Sequence, residues 1–132
     1  MPIFQLTESL SVAAQITPQD IPNLAAQGFT VVVCNRPDGE VPGQATMDEM
    51  EAACNAADLL FVRYPVDAMN FPGPDIEGLG ALFDDPGQSV LAYCRTGTRC
   101  ANLWVTSQTG ETQAAAVQAA RDIGFDLSLV RA

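Results

Sequence analysis

The chain has 132 residues, 48% of them hydrophobic, with 16 acidic side chains against 6 basic ones and a formal net charge of −10. That is the size of one ordinary domain with a proper core, and the acidic balance argues against nucleic acid and anionic membrane surfaces as partners. No apolar run approaches the roughly 20 residues that span a bilayer, the first residues lack the layout of a secretory signal, and four cysteines in a domain this large suggest free thiols in the cytoplasm.

Residues 3–13 (IFQLTESLSVA) alternate loosely, which predicts one or two short strands at a sheet edge. Thr17-Pro18-Gln19-Asp20 reads as a helix start, with threonine as N-cap, proline in the first turn and an acid behind it. That helix runs to about Gln27 and Gly28 ends it. Phe29 to Cys34 is continuous and β-branched, as a strand buried on both faces would be. After the polar loop Asn35-Arg36-Pro37-Asp38-Gly39-Glu40, Thr46 and Glu49 form a capping box that opens a helix through about Ala57.

Leu59 to Tyr64 is the next strand. Pro65 to Pro74, with three prolines and one glycine, is a long irregular loop of the kind that carries function. A short helix over Asp75 to Phe83 and a turn at Asp84 to Gly87 lead into the strand Val90 to Tyr93. A helix follows from about Cys100 to Ser107, broken at Thr109-Gly110. An alanine-rich helix then covers Glu111 to Ile123 and ends at Gly124, and Phe125, Leu127 and Leu129 of the tail stand where they can pack.

This alternation predicts an α/β fold, one domain over residues 1–132 with a mainly parallel central sheet flanked by helices. In such sheets ligands bind outside the carboxyl ends of the strands. Cys34, Arg36, the Pro65–Pro74 loop and Cys94 to Arg99 all fall at those ends.

The stretch Val90 to Trp104, VLAYCRTGTRCANLW, carries the chemistry. A cysteine ends a buried strand, a glycine-bearing loop follows, and a helix begins. Backbone N–H groups of such a loop converge on an anion, and the helix dipole adds positive charge. The same field lowers the pKa of a thiol placed there. All six basic residues are arginines, and Arg95 and Arg99 both lie in this loop. The chain has no histidine, which removes Ser-His-Asp and Cys-His catalysis and histidine metal sites. No metal or cofactor is expected, and Cys94 must be activated by electrostatics alone.

Cys94 is then the nucleophile and Arg99 its charged partner. Arg95, Gly97 and the hydroxyls of Thr96 and Thr98 are candidate contacts to the thiolate or the anion. Arg36 either reaches the anion or pins its own loop through Asp38 or Glu40. Cys100 is either a resolving thiol for Cys94 or a packing residue, and Cys34 carries the same two alternatives. Cys54, Tyr93 and Trp104 read as core.

Taken together, AAQITPQDI, NRPDGE, the Tyr-Pro-Val after the third strand and YCRTGTR resemble the beta-lactamase hydrolase-like protein family. Its domains are phosphatase-like or sulfur-transferase-like and occur alone or fused to metallo-beta-lactamase-type domains. The resemblance implies a fold like the dual-specificity cysteine protein tyrosine phosphatases, with the cysteine loop as catalytic centre. Phosphatases of that fold place five residues between cysteine and arginine, whereas four separate Cys94 from Arg99. The shorter ring resembles the loop of rhodanese-type sulfurtransferases.

Sulfur transfer is therefore the favoured expectation, with Cys94 taking a sulfane sulfur as a persulfide and passing it to a thiol acceptor. The alternative is hydrolysis of a phosphate monoester through phosphocysteine. Asp67 would then be the general acid, since phosphatases of this fold carry one on the loop after the preceding strand; Asp75 lies on the same segment. A further alternative is a non-catalytic module that keeps the cradle to bind an anion or dock a partner enzyme. Every version expects a small anionic ligand.

Overall fold

The computed structural model describes residues 2–130. The run Val31–Cys34 contains no charged side chain and becomes strand β3, wholly buried. It pairs in parallel with β4 (Leu60–Arg63) on one side and β5 (Val90–Tyr93) on the other. Strand β2 (Leu10–Ala13) pairs in parallel with the far side of β5, and β1 (Ile3–Gln5) closes that side antiparallel to β2. The sheet order is β1-β2-β5-β3-β4, the mainly parallel arrangement expected. Only β1 is an edge strand at this end, whereas the sequence placed all of residues 3–13 there. All four residues of β2 are buried, and such a segment is best satisfied with partners on both sides.

Alternate side chains along the strands feed two apolar layers. Ala13, Val32, Cys34, Leu91 and Tyr93 point to the face covered by α1 (Ile21–Ala26) and α2 (Met47–Ala56). Val12, Val31, Val33, Val90, Ala92 and then Cys94 point to the face covered by α3 (Ile76–Phe83), α4 (Thr98–Ser107) and α5 (Gly110–Ile123). Burial on both faces explains the unbroken valine run, and each such side chain adds ~1.5–3 kcal/mol relative to leaving it in water.

The helices start and stop close to where their caps predict. Thr46 accepts the Glu49 amide at 3.1 Å and opens α2. Asp75 does the same for α3 through Gly78 at 3.0 Å. The segment after Thr17 differs from expectation, because residues Pro18–Asp20 form a 3₁₀ turn before α1 begins. Pro22 has no N–H to give and fits only a first turn, so the α-helical register starts at Ile21. Gly80 lets α3 approach α4 closely, since a Cβ there would lie 2.7 Å from the Cβ of Ser107. Asn102, fully buried on α4, ties down the tail by donating to the Asp126 carbonyl and accepting from the Leu129 amide.

Register decides where the loops emerge. Ala13, Cys34 and Tyr93 stand level across β2, β3 and β5, and Arg63 of β4 stands level with Cys34. The segments starting at Ala14, Asn35, Tyr64 and Cys94 therefore leave the sheet side by side. Among the described residues, no helix is long and apolar enough to cross a membrane.

Candidate active site

Cys94 is the first residue beyond β5 and only 1% exposed. The chain turns sharply at Gly97, whose φ of +90° is a left-handed conformation that a side chain resists, and α4 begins at Thr98. This turn brings the Gly97 amide to 3.1 Å from the Cys94 sulfur. The Cys100 thiol, one helical turn on, also donates to that sulfur, and so do the Cys100 and Thr96 amides. These donors favour the thiolate. The Cys100 thiol contributes most, burial opposes it, the amides add to it, and the Cys94 pKa falls to about 5.

Cys100 shows the reverse effect. It is completely buried, and desolvation together with the adjacent Cys94 sulfur pushes its own thiol well above the ordinary value. It stays protonated and serves as donor. All four cysteines are free thiols.

Arg99 does not stand alone at the loop. Its Nη1 and Nη2 grip the two carboxylate oxygens of Glu40 at 3.0 and 2.7 Å, and Nη1 also donates to the Val66 carbonyl at 2.9 Å. It thus joins the cysteine loop, the 35–46 loop and the 65–74 loop. Burial works against its charge, but Glu40 and the nearby Cys94 thiolate outweigh burial and hold its pKa above the usual value. Glu40 is held below the usual carboxylate range, chiefly by Arg99 and also by Arg36.

Each residue of the NRPDGE loop has a visible task. Asn35 donates to the Tyr64 carbonyl at 3.0 Å. The Arg36 guanidinium lies buried, with Nε on Glu40 at 2.8 Å and Nη1 on Gln15 at 3.1 Å. The Pro37 carbonyl accepts from Gln44, and the Asp38 carboxylate accepts the Met47 amide at the start of α2. Gly39, at φ +77°, turns the chain so that Glu40 faces back to both arginines. Of the two uses considered for Arg36, the geometry shows it engaged with Glu40.

Other candidate residues stand differently from their sequence expectation. The Thr96 and Thr98 hydroxyls bond each other at 2.9 Å, so backbone amides rather than hydroxyls reach the sulfur. Arg95 is exposed, with no hydrogen bond or ion pair among the described residues. Asp67 Oδ1 accepts the Met69 and Asn70 amides at 2.8 and 3.0 Å, closing a turn, and only its neighbour Val66 touches Arg99. Asp75 is the cap of α3. Cys34 lies on the opposite face of the sheet from Cys94, beside Tyr93 and Cys54.

Two contributors were missed from sequence. Glu40 was weighed only as a partner for Arg36; 59 residues separate it from Arg99, and no local pattern reveals that contact. Tyr64 organises the 65–74 loop by donating to the Pro72 carbonyl and accepting the Asp75 amide, at 2.8 and 3.0 Å. Among the described residues no cluster of His, Cys, Asp or Glu is placed to hold a metal ion.

A buried cysteine of lowered pKa at the end of the central parallel strand, followed by an amide-lined turn and a helix, defines a cysteine-phosphatase-like α/β domain. Solved structures share the architecture: PTPMT1 in complex with PI(5)P superposes with a TM-score of 0.72 at 16% identity, over 98% of this chain and 86% of that one. A crystallised candidate phosphatase from Neisseria meningitidis superposes at 0.78 with 31% identity, over 97% and 92%. Residues 3–112 match the family described as the beta-lactamase hydrolase-like protein, phosphatase-like domain. The chain belongs to that family. Relatives named beta-lactamase hydrolase-like protein occur in Agrobacterium fabrum, 32% identical over 96% of this chain, and in Xylella fastidiosa, 31% identical over 82%. The chain spans 30% and 25% of their lengths.

Proposed function

We propose that this domain is a cysteine-dependent hydrolase of phosphate monoesters. The observation that carries the reading is the buried Cys94 sulfur at the turn into α4, which accepts from the Gly97 amide at 3.1 Å and whose pKa is lowered to about 5. The phosphatase-like family and the phosphatase fold of its neighbours support the same chemistry, so phosphate now stands ahead of sulfur. The amides of the loop and the guanidinium of Arg99 hold the phosphoryl oxygens, with Arg95 at the open side. The Cys94 sulfur attacks phosphorus, the P–O bond to the alcohol breaks, and the leaving oxygen takes its proton from solvent. Water then cleaves the phosphocysteine, releasing phosphate and restoring the thiolate. Free, buried thiols fit a reducing compartment such as the cytoplasm.

Turnover of an aryl phosphate that disappears in Cys94→Ser, with phosphate trapped on Cys94 in the wild type by rapid acid quench, is the expected result. An enzyme that never releases or retains phosphate ends this reading.

The four-residue ring favours a second reading, sulfane-sulfur transfer. There the Cys94 thiolate attacks the outer sulfur of thiosulfate, the S–S bond breaks with release of sulfite, and the persulfide passes its sulfur to a thiol. Intact mass after thiosulfate would show one added sulfur atom on Cys94, and an unchanged mass eliminates it.

A further inference from the structure

The tail after α5 folds back onto the cysteine loop. The chain turns at Gly124, whose φ is +108°, and Phe125, Leu127 and Leu129 pack against the apolar layer that α4 covers. Asn102, fully buried on α4, is the anchor. Its Nδ2 donates to the Asp126 carbonyl of the tail and to the Thr98 carbonyl in the first turn of α4, both at 2.8 Å, and its Oδ1 accepts the Leu129 amide at 3.0 Å. One side chain thus ties the tail to the helical turn that leaves the loop, through bonds whose loss would strand buried polar groups.

This joint sets the Phe125 ring beside the turn. Phe125 meets Phe4 of β1 edge to face, with ring centres 5.5 Å apart. A Cβ on Gly97 would stand 3.4 Å from Phe125 Cε1 and 3.5 Å from the Ala13 carbonyl. Gly97 therefore lies between the end of β2 and the edge of the ring, and its amide is the one 3.1 Å from the Cys94 sulfur. Glycine has no side chain to hold its own backbone, so its neighbours must. The match to the phosphatase-like family ends at residue 112, and the tail lies beyond it.

We propose that Phe125, locked in place through buried Asn102, is a positioning residue for the cysteine loop: its ring edge backs the Gly97 turn and keeps the Gly97 amide on the Cys94 sulfur. The inference rests on Cys94 as the nucleophile of the function proposed above. It can be told from simple shielding by its sign. A ring that only keeps water from Cys94 would, on removal, let the thiol pKa fall, because burial opposes ionisation there. A ring that backs the turn would, on removal, take a donor off the sulfur, and the pKa would rise.

The experiment follows alkylation of Cys94 by iodoacetamide against pH in the full chain, with peptide mass mapping to assign the label and denaturant melting to check the fold. Phe125→Leu removes Cε1 but keeps apolar bulk. It should raise the Cys94 pKa by about half a unit, so that alkylation below that pKa slows about threefold. Phe125→Tyr keeps the ring edge and should titrate as the wild type does. Leu127→Ala takes apolar packing from the same tail and should lower stability with the titration unmoved.

A rise confined to Phe125→Leu upholds the proposal. A Cys94 pKa that falls or stays unchanged in Phe125→Leu, or an equal rise in Phe125→Tyr or Leu127→Ala, overturns it. If Phe125→Leu does not melt cooperatively, Phe4→Leu decides by the same titration, since it loosens the edge contact that steadies the ring: a smaller rise upholds the proposal and no rise overturns it. A wild-type Cys94 that titrates as an ordinary thiol ends the nucleophile reading instead. Hydrogen exchange of the Gly97 amide, followed by NMR, then decides: faster exchange in Phe125→Leu than in Leu127→Ala upholds the backing role, and equal exchange overturns it.

Discussion

Cys94 and Cys34 follow nearly the same recipe and end up as opposite groups. Cys34 ends β3 and Cys94 directly follows β5, its neighbour in the sheet, and both are almost fully buried. Burial alone raises a thiol pKa, and at Cys34 it does: the thiol is pushed up by desolvation, against only hydrogen bonding from the Tyr93 hydroxyl and the Arg36 backbone. At Cys94 the same penalty is overcome by the Cys100 thiol and three backbone amides. Cys54, on a helix with no such donors, rises to about 11. The lowered pKa here comes from the turn after the cysteine and not from its depth.

The largest test of this contrast is removal of each sulfur. Cys94→Ser should abolish rapid alkylation at pH 6 and any turnover, whereas Cys34→Ser should preserve both; labelling followed by peptide mass mapping reads the result. Next in size is Arg99→Met, which should weaken phosphate binding about 10- to 100-fold through loss of charge-assisted bonds, measured as protection from alkylation.

Cys100 separates donor from bulk. Cys100→Ala should raise the Cys94 pKa by about one unit or more, while Cys100→Ser keeps a donor and should shift it less. Because the folded Cys94 pKa lies below that of an ordinary thiol, the reactive form dominates above about pH 5 in the wild type and is lost as pH falls through that value. In Cys100→Ala the loss should begin at higher pH. Gly97→Ala forces a side chain into left-handed backbone and should cost about 1–2 kcal/mol, seen by denaturant melting, while pulling the loop amide off the sulfur. The smallest effect belongs to Tyr93→Phe, which removes the donor at Cys34. It should change stability by only about 1 kcal/mol and leave the alkylation profile of Cys94 unmoved, marking the two sites as independent.

Much of the fold was legible because it rests on local signals. The valine run of β3, the Thr46–Glu49 box and the Gly97 and Gly124 turns each act within a few residues. The place of β2 was less legible, since pairing across the sheet is not written in the strand itself. At the site, Cys94 and its loop could be read because nucleophile, turn and helix are contiguous. Thr96 and Thr98 were candidates for hydroxyl contacts to the thiolate or the anion, and in the structure the Thr96 hydroxyl donates to that of Thr98.

By itself the sequence determined the parallel α/β pattern, the thiol at the end of a buried strand, and the absence of any histidine to activate it. Those are properties of residue type and short spacing, and they hold however the chain packs. Tertiary structure alone decided what holds Arg99, because that depends on groups brought together from separate loops. Strand register sets Asn35, Tyr64 and Cys94 side by side, and only then can Glu40 and Val66 meet an arginine far along the chain. Hydrogen bonds between such groups form only at contact distance, so no order along the chain could fix them before the sheet had formed.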